Sequence, residues 1–176
     1  MLDANNLLAA TSKVKEVLNT KSISISILVA LAGLVIIVLL SWSDDKSDSA
    51  YMAGNTVAVL LIIFGFYRLL FKRTQVIYKP TNSIVVPGSI FFDAQSVDRI
   101  KTMLENKGQV DLSTIEFLKS GNARLDYMVS GDAHFVAIQL FQYVPYTFET
   151  VTDIICLEEA DAHKVGMFLL ANHGKL

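Results

Sequence analysis

The sequence predicts an α+β protein: a two-helix transmembrane hairpin followed by a small cytoplasmic domain with a mainly antiparallel sheet and about three helices. Three observations carry that expectation. Two long apolar runs, Ile23–Trp42 and Ala53–Phe71, hold a single charge between them, Arg68. A short polar stretch, residues 43–52, separates them and contains Asp44, Asp45 and Asp48. Residues 74–176 then mix period-two strand patterns with short amphipathic helices. The chain is 52% hydrophobic with a mean hydropathy of +0.45, and that excess is concentrated in the two runs.

Residues 1–22 open the chain. Leu7, Val14, Val17 and Leu18 recur at helical spacing among Lys13, Lys15 and Glu16, which predicts an amphipathic cytoplasmic segment lying on the membrane surface. The alternatives are packing on the cytoplasmic domain or on a partner, and a frayed tail. The first span is expected at 23–42 and the second at 53–71, within a hairpin covering 23–73. Roughly 20 apolar residues cross a hydrocarbon core, and a soluble core helix of that length normally keeps a polar face. The first run also exceeds the ~7–15 residues of a signal-peptide core, so it reads as an anchor. Ser26, Ala30 and Gly33 give one span a small-residue face, and Gly54, Ala58 and Gly65 give the other a matching stripe.

Basic residues orient the hairpin. Lys13, Lys15 and Lys21 flank the first span and Arg68, Lys72, Arg73 and Lys79 the second, whereas the connecting loop has only Lys46. The positive-inside rule puts both termini in the cytoplasm and the acidic loop outside. Trp42 and Tyr51 then sit at the outer interface, and Arg68, Lys72 and Arg73 at the inner one. The expected location is a bacterial cytoplasmic membrane.

In residues 74–176, "TQVIYK" and "SIVVPGSIFF" read as strands joined by "PTN", with Pro87-Gly88 marking a bulge or an edge. Asp93 is an N-cap for a helix over 94–106 with Val97, Ile100, Met103 and Leu104 buried and Gly108 as its stop. Ser113 and Glu116 form a capping-box pattern for a second short helix. Leu125, Tyr127 and Val129 alternate with Asp126, Met128 and Ser130, "SGDA" turns, and "HFVAIQLFQY" returns as a central strand apolar on both faces. "YTFETVTDIICL" is one further strand, and Glu158–Asn172 a closing helix with Gly174 beyond it.

The chemistry is less forthcoming. No phosphate-binding loop, dinucleotide fingerprint, nucleophile elbow, paired-cysteine or zinc-protease motif is present. Glu159 and His163 lie four apart on one helix face with His173 beyond, but a metal site needs three or four ligands. Asp132 beside His134 has the form of a base with its orienting carboxylate, and equally of a polar turn. The three loop aspartates lack the six or more oxygens that calcium wants. Cys156, the single cysteine, agrees with a reducing compartment and sits in the apolar run "DIICL". Beyond residue 73 acids outnumber bases, which argues against nucleic acid as a partner.

The layout of two spans and a β-rich domain is similar to that of membrane proteins carrying a pleckstrin-homology-like module. No motif is shared, and helices between the strand groups do not suit that fold.

The expectation is therefore a non-enzymatic membrane-anchored subunit or adaptor, without metal or cofactor. Its partners are membrane lipid and another protein, or a second copy of itself. The aromatic-rich stretch "YMVSGDAHFVAIQLFQYVPYTF" suggests the docking residues: Phe135, Phe141, Tyr143, Tyr146 and Phe148. The alternative is a membrane-tethered enzyme or small-ligand module with a site near Asp132, His134 or His163.

Overall fold

The structure, a computed structural model, describes residues 2–42, 49–106, 110 and 112–172. Among these are five α-helices: α1 (Ala4–Ala10), α2 (Thr20–Ser41), α3 (Ser49–Phe71), α4 (Val97–Glu105) and α5 (Glu159–Asn172). The strands are β1 (Val14–Leu18), β2 (Thr74–Tyr78), β3 (Ser83–Phe92), β4 (Ala123–Ser130), β5 (Phe135–Val144), β6 (Thr147–Thr150) and β7 (Ile155–Glu158). The fold class is α+β with an antiparallel sheet, ordered β1-β2-β3-β4-β5-β6, with β7 also paired to β5. The chain forms two compact units, one of Met1–Lys15 with Val76–Leu176 and one of Glu16–Gln75.

In the larger unit, β4 and β5 are the central strands and each buries both faces. Odd-numbered residues of β4 (Ala123, Leu125, Tyr127, Val129) and even-numbered ones of β5 (Val136, Ile138, Leu140) share one core. The apolar stripes of α4 (Val97, Ile100, Leu104) and α5 (Ala162, Val165, Leu169) cover it. The opposite parity, Met128 with Phe135 and Ala137, makes a second core with Leu2, Leu7, Val14, Tyr78 and Val85. Period-two alternation feeding two covered faces is why β5 reads as apolar throughout.

That second core revises the expectation for the N-terminal segment. The helical spacing of Leu7, Val14, Val17 and Leu18 is not realised in one helix. Asp3 caps a two-turn α1, Thr11 ends it, and β1 follows. Leu7 is fully buried, and Tyr78 stacks on Phe135 at 5.1 Å within the same core. The Lys13 N-terminal stretch is pinned by backbone and side chain: Lys79 N–H donates to the Lys13 carbonyl at 2.9 Å, and the Lys13 ammonium pairs with Glu158. That hydrogen bond raises the Lys13 pKa above its usual value. Burying Leu2, Leu7 and Val14, at ~1.5–3 kcal/mol each, outweighs what two isolated helical turns gain.

Other departures have local causes. Asp93 accepts from Gln95 N–H as expected, but it caps a 3₁₀ turn, Ala94–Ser96, and α4 starts at Val97. The expected helix after Ser113 is a single 3₁₀ turn, Leu112–Thr114, because Leu112 and Ile115 are drawn into the core. The strand expected after Pro145 is split into β6 and β7. Thr152 interrupts it: its hydroxyl accepts from Leu140 N–H at 3.1 Å, a place the ladder would give to a carbonyl. Pro87 lies exposed on β3 beyond the two residues paired with β2, where a missing N–H costs no ladder bond. Gly88 is required there: a Cβ would sit 2.2 Å from the Tyr127 ring. Burial raises the Tyr127 phenol pKa. Gly108 and Gly174 fall outside the described residues.

The smaller unit is the helical pair. α2 and α3 run antiparallel and meet along the small residues. Gly33 faces the Ala58 carbonyl, where a Cβ would approach to 2.6 Å, and Gly65 faces the Ser26 carbonyl, where it would approach to 2.8 Å. Ser22, Ser26, Gly33, Ala58 and Gly65 are the buried residues of the pair. Both helices are long and apolar enough to cross a membrane, and only 11% of each span window is buried.

Candidate functional site

The residues expected to dock a partner divide into two groups. Phe135 and Phe141 are 0% and 4% exposed, so they are core and offer no surface. The reason is strand parity: both lie on the face of β5 that carries the second core and its continuation. Tyr143 is 45% exposed, Phe148 half-buried, and Tyr146 97% exposed at the tip of the β5–β6 hairpin. Tyr146 has φ 76°, a left-handed conformation that this turn position normally gives to glycine or asparagine. An exposed aromatic ring held there breaks the local rule for turns.

The structure brings Phe141, Tyr143 and Phe148 together around a residue outside the expected set, Arg124. Its guanidinium lies over the Phe141 ring at 5.0 Å and the Phe148 ring at 4.6 Å. Phe148 also meets Tyr143 edge-on at 5.4 Å and Phe91 at 6.4 Å. The register explains the group: Arg124 is directly opposite Phe141, and Tyr143 opposite Phe148. Beside it opens a cleft of about 530 Å³, lined by Phe91, Asp93, Asn122, Tyr143 and Phe148 among others.

Arg124 also closes a buried ion pair. Its Nε lies 2.9 Å from Asp126, whose side chain is 3% exposed, and its Nη2 donates the hydrogen bond to that carboxylate at 3.3 Å. Ser89 Oγ donates to the same carboxylate at 2.7 Å and the Leu2 backbone N–H at 3.0 Å. Three donors satisfy a carboxylate that would otherwise be costly to bury. Period two puts Arg124 on the same face of β4 as Asp126 and Met128. The Leu2 donor, 124 residues away in sequence, carried no sequence signal.

The histidine corner is real as a juxtaposition. The rings of His134 and His163 lie 5.7 Å apart, and His134 Nδ1 is 2.8 Å from the Asp132 carbonyl and 3.8 Å from its carboxylate. Burial pushes the Asp132 carboxyl up, but hydrogen bonds from Ser130, Thr81 and His134, with the His134 charge, outweigh it and hold the pKa below its usual value. Both histidines are exposed, and neither lines that cleft. Among the described residues no three His, Cys, Asp or Glu side chains are grouped to hold a metal ion. Glu159, Asp161 and His163 lie on α5, and His173 is outside the described residues, as are Asp44, Asp45 and Asp48. Cys156 packs half-buried against the second core.

On the helical pair, Trp42 caps α2 and is 76% exposed, and Tyr51 lies in the first turn of α3. Arg68 lies in the last turn of α3, its guanidinium 5.9 Å from the Phe64 ring, and Lys72 and Arg73 follow, exposed. Comparison with protein-family models, with curated proteins and with solved structures finds no match to this chain.

Proposed function

We propose that this protein is a non-enzymatic membrane-anchored subunit or adaptor. The α2–α3 hairpin spans a bacterial cytoplasmic membrane with both termini inside, and the α+β domain docks a partner protein or a second copy of itself. The observation that carries the anchor is the outward surface of the hairpin. Eighteen large apolar side chains on α2 and α3, from Ile25 to Phe71, are 40–71% exposed. At roughly 1 kcal/mol each for partial exposure, keeping them in water costs on the order of 20 kcal/mol. That exceeds the ~5–15 kcal/mol net stability of a whole domain. A bilayer removes the cost, and the small-residue seam between the helices suits packing in lipid.

Docking is supported by Tyr143, Tyr146 and Phe148 around Arg124: aromatic and arginine side chains are the types that concentrate binding energy at interfaces. The test is crosslinking in native membranes with a photoreactive residue at position 146, paired with alkaline extraction. Extraction-resistant chain giving one discrete Tyr146-dependent adduct supports the reading. Chain released into the supernatant, or an adduct pattern unchanged when the probe moves to Lys101, sinks it.

A further inference from the structure

The basic end of the helical pair is more than an orienting charge cluster. A cleft of about 420 Å³ opens there within the smaller unit, between the first turn of α2 and the last turn of α3 and the residues after it. Lys21, Arg68 and Lys72 line it, with Ser22 among them and Ile25 and Phe71 on its apolar side; no acid is among its lining residues. Three cations around one concavity repel one another unless an anion joins them.

Two buried donors there have no acceptor. Ser22 is 8% exposed and its hydroxyl has no hydrogen-bond partner, and the Arg68 Nε is buried without one. A buried donor left unpaired costs about 1–3 kcal/mol, so two at one cleft call for an acceptor from outside the chain. Asn19 accepts from the Ser22 backbone N–H at 3.0 Å and not from the Ser22 hydroxyl.

We infer that this cleft binds a phosphate group, with Arg68 and Ser22 donating to its oxygens and Lys21 and Lys72 balancing its charge. Arginine and hydroxyl donors match tetrahedral oxyanions, and arginine pairs with phosphate more directionally than lysine does. Ile25 and Phe71 give the site an apolar flank, as a phospholipid headgroup needs beside its acyl chains. The lipid source rests on the membrane reading above; the phosphate chemistry does not.

The test uses the full chain in two arms. In the first, lipid nanodiscs of phosphatidylcholine carry increasing phosphatidylglycerol, and retained lipid is counted by native mass spectrometry. In the second, detergent-solubilised protein is titrated with inorganic phosphate and its thermal midpoint followed. Arg68→Gln should weaken binding at least tenfold, Ser22→Ala about threefold, and Arg68→Lys should fall between wild type and Arg68→Gln. Arg73→Gln removes the same charge next to the cleft but outside its lining, and should change affinity less than twofold. Circular dichroism of each variant separates lost binding from lost folding. Saturable, Arg68-dependent retention of phosphatidylglycerol supports a lipid headgroup. Arg68-dependent stabilisation by inorganic phosphate alone supports a soluble phosphate in the same cleft. Equal losses for Arg68→Gln and Arg73→Gln, or no binding in either arm while the chain stays inserted in nanodiscs, overturn the proposal. Failure to insert at all would instead strike the membrane reading.

Discussion

At the scale of single residues, Arg124 does two jobs that pull on the same atoms. It neutralises Asp126, whose carboxylate is almost wholly buried, and it stacks between Phe141 and Phe148. Arg124→Ala leaves the carboxylate without a counter-charge. Breaking one side of a buried pair costs about 3–5 kcal/mol, so urea unfolding of the detergent-solubilised chain should show a loss of that order. Arg124→Lys keeps the charge but not the planar stack, and should lose less, by roughly the ~1–2 kcal/mol that cation–π contacts contribute. A loss under 1 kcal/mol for Arg124→Ala would mean that water reaches Asp126. Asp132 gives a pH signature. Its folded pKa is depressed, so its contribution to stability is present above ~pH 4, its unfolded value, and drains as pH falls through the lower folded value. Asp132→Asn should lower stability at pH 7 and flatten that acid limb, the two chains converging as pH falls below the folded value; an unchanged limb would remove Asp132 from the account.

At the scale of elements, the sequence was most legible where one pattern had one use. "SIVVPGSIFF" became β3 residue for residue, and the closing helix α5 starts within one position of its expected start, because alternation and capping there answer to a single core. It misled where two faces compete. The N-terminal segment has helical spacing, yet Val14 belongs to a sheet neighbour that only the fold supplies. Phe135 and Phe141 look like surface aromatics in a crowded stretch, yet strand parity and the layer over that face bury both, while Tyr143 and Tyr146 toward the hairpin tip are exposed. Arg124 went unread because its aromatic partners, Phe141 and Phe148, are on other strands. The α2–α3 seam was readable because small residues recur at four- and seven-residue steps. Its test is steric. Gly65→Ala asks a Cβ to sit against the Ser26 carbonyl and Ala30, and Gly65→Leu adds far more bulk. With spin labels at Leu28 and Ile63 in liposomes, Gly65→Leu should lengthen or broaden the interhelix distance by several ångströms and Gly65→Ala by less. Identical distributions for all three chains would show that the seam tolerates bulk and that packing is set elsewhere.

At the scale of the whole molecule, one physical asymmetry organises the chain: where its cations lie relative to its apolar runs. Four basic residues follow the second run closely or lie at its end, three precede the first, and one sits between the runs among three aspartates. Translocating Lys and Arg is costly and acids are largely indifferent, so in the proposed hairpin the loop is the part expected to cross. On the proposed reading, that inequality sets which compartment the exposed tyrosines and the cation-lined cleft face, and it can be measured without knowing any partner. A cysteine at Asp45 in a Cys156→Ser background should react with a membrane-impermeant maleimide on intact cells. The native Cys156 should react only after permeabilisation, and slowly even then, since it is half-buried. Moving the bias should move the topology: replacing Asp44, Asp45 and Asp48 with lysine while replacing Arg68, Lys72 and Arg73 with glutamine makes the loop the more basic side. The charge argument predicts that a measurable fraction of that variant inverts and that its position-45 cysteine becomes protected. Wild-type protection at position 45 would reverse the orientation and put the α+β domain outside the cell, where a partner for Tyr146 would have to be sought instead.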